Sequence, residues 1–150
     1  MPTPSLKLIS ALRATADRVE AGARYEWGHM AHCNCGHLAQ TVSNQTGEQI
    51  SKVVKHALSE WTEHASDICD VSGNPVEELL DVLQQVGFSR EDVMHLEWLS
   101  DKRVLRKVGQ GIYLKRNDRN DLITYLRAMA DMLEEDLALK FTARLTKQVG

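Results

Sequence analysis

Aromatic side chains are scarce in this sequence, at 5% of residues, and there are only three prolines. With nine glycines among 150 residues, turn formers are too few for the many short strands of an all-β design. Long apolar runs are also missing, whereas a membrane-spanning helix needs roughly twenty such residues. The opening MPTPSLKLIS lacks the apolar core and cleavage site of a secretory signal. A soluble, cytoplasmic protein without membrane contact is therefore expected. The net charge is only −3, which advertises neither nucleic acid nor an anionic surface as partner. No glycine-rich nucleotide-cofactor motif and no internal repeat occurs. Cysteine is limited to three residues, an odd number with two of them one residue apart, which fits reduced thiols better than a disulfide framework.

What the chain does contain is helical patterning. Hydrophobic residues make up 43% and charged residues 26%, and the length suits one domain, 1–150, with a core of its own. Ser5 caps a first helix over Leu6–Gly22, with Ile9, Leu12, Ala16, Val19 and Ala23 on one face. A short helix follows Gly36 and ends before Asn44. Thr46 and Gln49 have capping-box spacing, and Ile50, Val53, Val54, Ala57, Trp61, Ala65 and Ile68 continue as an apolar stripe. Asn74-Pro75 starts another helix that stops at Gly87, and Ser89 starts the next. Lys102–Val108 reads as a short helix, Ile112–Leu114 as extended, and Asn117 or Asp118 as the cap of a long last one. In that helix Leu122, Leu126, Met129, Leu133 and Leu137 recur at steps of three and four. The expected fold is all-α, a single bundle of five or six helices with a His/Cys loop after the first.

That loop, within Trp27–Gln40, is the densest chemistry in the chain. Cys33, Cys35 and His37 alternate around Gly36, so an extended backbone would project them the same way. Thiolates and imidazoles suit zinc, and His32, His29 or the distant Cys69 would complete a tetrahedron. The spacing does not match paired C-x₂-C knuckles. Two other readings stand beside the zinc site. Cys35 at a helix N-terminus suits a thiol-dependent enzyme or redox sensor. Alternatively the cluster only packs, inside a non-enzymatic helical interaction module. His56 and His64 fall on one side of the Thr46 helix as further possible ligands, although that side is opposite much of its apolar stripe. His95 reads as a satisfied core histidine.

Seven cations against two acids over Asp101–Asn120 form a basic patch, with Arg103, Arg106, Lys107, Lys115, Arg116 and Arg119 among them. Tyr113 is its sole aromatic, so pairing with the acidic helices is expected, and nucleic acid is not expected as a partner. The helix from Ser89 is apolar on nearly every side through Val93, Met94, Leu96, Trp98 and Leu99, which makes a homodimer a candidate assembly.

The stretch LLDVLQQVGFSREDVMHLEWL resembles the first helix, Gly-Phe loop and second helix of ubiquitin-associated-type domains. Leu83, Gly87, Phe88, Val93 and Leu96 carry the resemblance. The third helix of that fold finds no clear match in Asp101–Gly109. The resemblance implies an αα-hairpin and brings no function with it.

Overall fold

A computed structural model of the chain describes residues 1–25, 32–43 and 74–149. Among these residues there are six α-helices and no strand: α1 Leu6–Glu20, α2 Asn34–Ser43, α3 Asn74–Gln85, α4 Arg90–Trp98, α5 Lys102–Val108 and α6 Arg119–Val149. The expected helix over 46–68 lies outside the described residues.

The Ser5 hydroxyl accepts from the Leu8 amide at 3.1 Å and so satisfies one orphan donor of α1. Leu8, Ile9, Leu12, Ala16 and Val19 then bury one stripe, chiefly against α6. In α6, Leu122, Leu126, Met129 and Leu133 are the buried counterparts, and Leu137 is partly buried. The two helices run antiparallel. Arg13 holds Asp131 and Glu134 at one level, and Arg127 holds Asp17 and Glu20 at the other. Asp118 caps α6, accepting from the Asp121 amide at 3.0 Å, so of the two expected caps it is the aspartate that acts.

Ser89 and Asp92 close a reciprocal capping box at the start of α4. Gly87, between α3 and α4, has φ of +109°, and a Cβ there would lie 3.0 Å from the Thr3 carbonyl oxygen. Phe88 beside it is buried, as the αα-hairpin reading requires. The α4 helix ends at Leu99, whose φ of 51° is left-handed. That conformation is costly for a bulky side chain. Burial of Leu99 to 2% exposure offsets the cost. α4 is not apolar all round in effect: Val93, Leu96 and Leu99 are buried, while Met94 and Trp98 face out. α2 packs against α1, α3 and α4, which sets the His/Cys residues at a junction of four helices.

Candidate functional site

The expected short helix begins earlier than Gly36, at Asn34, and this changes what Cys33, Cys35 and His37 can do. In a helix successive side chains are about 100° apart, so the alternation that an extended loop would have aligned is lost. Cys33 and Cys35 are reduced and both 0% exposed. The Cys33 sulfur accepts from the Gly36 amide at 3.3 Å. The Cys35 thiol points elsewhere and donates to the Val93 carbonyl at 3.5 Å, a bond only the protonated form can make.

His37 has both ring nitrogens engaged. Nε2 lies 2.6 Å from the Arg24 carbonyl oxygen, which can only accept, so Nε2 carries the proton. Nδ1 is then the acceptor, and Arg18 Nη1 donates to it at 3.1 Å. Burial pushes the His37 pKa down to about 4, and the neighbouring Arg18 charge adds to the shift. Arg18 Nη1 also donates to Gln40 at 3.0 Å, and Nη2 to the His37 carbonyl at 2.6 Å and Thr41 at 3.0 Å. Burial lowers the Arg18 pKa as well. Thr41 is bonded in turn to Thr15, 2.7 Å away on α1.

The other end of α2 is fixed by residues that sequence reasoning passed over. Asn34 is fully buried and donates to the Glu97 carbonyl at 2.8 Å, while its own Oδ1 accepts from the Tyr25 hydroxyl at 2.7 Å. The buried Glu97 carboxylate accepts from the Cys35 amide at 3.0 Å. A carboxylate at a helix N-terminus is favourable for the helix. It is the wrong charge to hold a thiolate one bond away. Burial, with Glu97 nearby, raises the Tyr25 pKa. An asparagine between two cysteines was the one available signal, because a polar residue in a buried run must find partners.

The helical backbone from Asn34 removes the side-by-side projection expected of Cys33, Cys35 and His37. Each makes a hydrogen bond within the fold, and among the described residues no group of three or more His, Cys, Asp or Glu side chains is placed to hold a metal. His32 is half-buried, its ring centroid 6.1 Å from that of His37. His29, His56, His64 and Cys69 lie outside the described residues.

The basic patch is largely used within the chain. Arg103 pairs with Asp136 at 3.1 Å, and Lys107 pairs with Glu135. Arg106 Nε donates to the Lys102 carbonyl at 3.3 Å. Arg119 Nη1 donates to the carbonyls of Val19 and Ala23 at 2.7 and 2.6 Å, capping the negative end of α1. The Arg116 guanidinium sits 3.8 Å from the Trp98 ring centroid. Lys115 contributes its amide, donating to Asp121 at 2.8 Å.

His95 is on the surface edge and was not the core histidine expected. Its Nδ1 is 2.8 Å from the Ser100 hydroxyl, and its Nε2 is 3.5 Å from Glu91. Glu91 and His95 line a cleft of about 700 Å³ with Asp92, Asp101, Lys102 and Arg103. The order Ser–His–carboxylate invites comparison with a hydrolytic triad, which also needs donors for an oxyanion. The Ser100 amide is committed to the His95 carbonyl and the Asp101 amide to the Tyr125 hydroxyl. The contact is a hydrogen bond at the end of α4.

No described helix is long and apolar enough to cross a membrane. No protein-family model, curated protein or solved structure matches this chain.

Proposed function

We propose that this protein is a non-enzymatic helical interaction module. Its His/Cys segment is a structural joint between α1, α2 and α4, and the far end of α6 docks a partner. The observation that carries the reading is the exposure of every residue from 138 to 147, including Leu139 at 69%, Phe141 at 64% and Leu145 at 53%. Single exposed leucines are ordinary. Phe141 and Leu145, four residues apart, share one side of the helix, the spacing that helix-in-groove recognition uses, while Leu139 lies on another side. Zinc is not part of this reading: a metal on Cys35 would cost the thiol proton donated to Val93, and one on Nδ1 of His37 would displace Arg18.

The test is the double substitution Phe141→Asp with Leu145→Asp, followed by urea unfolding under dilute conditions. The docking reading expects a change within about 0.5 kcal/mol, as for exposed sites away from the core. A loss of several kcal/mol, on the scale of core disruption, would place these side chains in the protein's own core and overturn it.

A further inference from the structure

We propose that the projecting turns of α6 pair with the same turns of a second copy of this chain, in antiparallel orientation. The proposal rests on the docking reading above and names its partner. A helix of about ten residues that is exposed throughout, as 138–147 are, is marginal in water, so these turns gain from any helix that covers them. Leu137, Phe141 and Leu145 follow at four-residue steps, which puts them along one side as a seam.

Charge selects the orientation. Asp131, Glu134, Glu135 and Asp136 precede the seam, while Lys140, Arg144 and Lys147 accompany it with no acid after Asp136. Parallel copies would set cation on cation and acid on acid. Antiparallel copies set unlike blocks together. Crossing level with residue 139, Phe141 of one copy meets Leu137 of the other, and Arg144 comes beside Glu134. The acidic block already pairs with Arg13, Lys107 and Arg103, but those pairs are mostly solvent-exposed and so weak, leaving the carboxylates open to another cation. The same acidic block and the net charge of −3 argue against an anionic membrane as the occupant.

The contact is small beside the ~1,200–2,000 Å² of a stable interface, so association is expected in the micromolar range or weaker. Sedimentation equilibrium of the full chain from ~10 μM to ~1 mM reads it directly. The expected result is a growing dimer fraction that Phe141→Asp abolishes and Arg144→Glu weakens at least about tenfold, with Glu134→Arg added to Arg144→Glu restoring it. A monomer at every concentration, association indifferent to Phe141→Asp, or no rescue by Glu134→Arg overturns the antiparallel pair. If the unfolding test above leaves the body intact, docking of a different partner survives that failure. If Phe141→Asp with Leu145→Asp unfolds the body, both ideas fall together.

Discussion

Arg18 donates to the unprotonated Nδ1 of His37 across 3.1 Å, so a half-buried cation and a buried histidine share a joint on the condition that the histidine stays neutral. Protonating His37 would remove the acceptor and set two positive charges face to face. The histidine at the centre of the suspected metal cluster is thereby held neutral and in one tautomer near neutral pH.

This arrangement makes stability depend on pH. His37 takes up a proton at about 4 in the folded protein, against 6.5 for an unperturbed histidine. Its contribution is complete above 6.5 and is lost as pH falls from there toward 4, because the unfolded chain binds the proton first. The loss should reach roughly 2–3 kcal/mol. Urea unfolding of the wild type and of His37→Gln checks it: the variant should be less stable at neutral pH and show a flatter slope over that window.

Asn34 should be intolerant of change, and more so of charge than of loss. Asn34→Ala leaves the Glu97 carbonyl short of a donor, while the Tyr25 hydroxyl keeps the Arg116 carbonyl, at a cost of about 1–3 kcal/mol. Asn34→Asp aims a carboxylate at the carbonyl oxygens of Glu97 and Arg116 and should cost more. Chemical denaturation of the two variants gives the order.

Much of the fold was legible because its signals are local. Ser5, the Ser89–Asp92 box and Asp118 act where their spacing placed them, and the periodic leucines of α6 are buried. The local geometry of the His/Cys stretch was not legible for the opposite reason. Whether Cys33, Cys35 and His37 share a side depended on whether the backbone was helical or extended from Asn34. That choice is set by Glu97 and Tyr25, which lie elsewhere in the sequence. Partners of this kind leave no periodic trace. The basic patch was foreseen in part: Arg103 and Lys107 pair with acids of α6, while Arg106 and Arg119 donate to helix carbonyls.

Chelation should leave the protein unchanged. The zinc expectation drawn from the sequence would have metal removal lower the unfolding temperature sharply, because structural metal binding is folding energy. The bonding of the joint predicts no shift in Tm with EDTA and less than about a tenth of an equivalent of metal on purification. Alkylation mapped by mass spectrometry should label Cys33 and Cys35 only as fast as the protein unfolds, since both sulfurs are buried.

Gly87→Ala should destabilise by about 1–3 kcal/mol, since the residue must hold a left-handed φ and its new methyl would press on the Thr3 backbone. Thermal unfolding measures this, and Gly22→Ala is the comparison. Gly22 also has positive φ but has open space where a Cβ would go, so its cost should be the smaller of the two.

The nitrogen chemical shifts of the His37 ring, followed by NMR from about pH 5 to 8, test most directly whether the cluster is a joint rather than a ligand set. The bonding to Arg24 and Arg18 predicts a protonated Nε2 and a bare Nδ1 throughout that range, unchanged by one equivalent of zinc. A titration near 6.5, or a shift of either nitrogen when zinc is added, would contradict it.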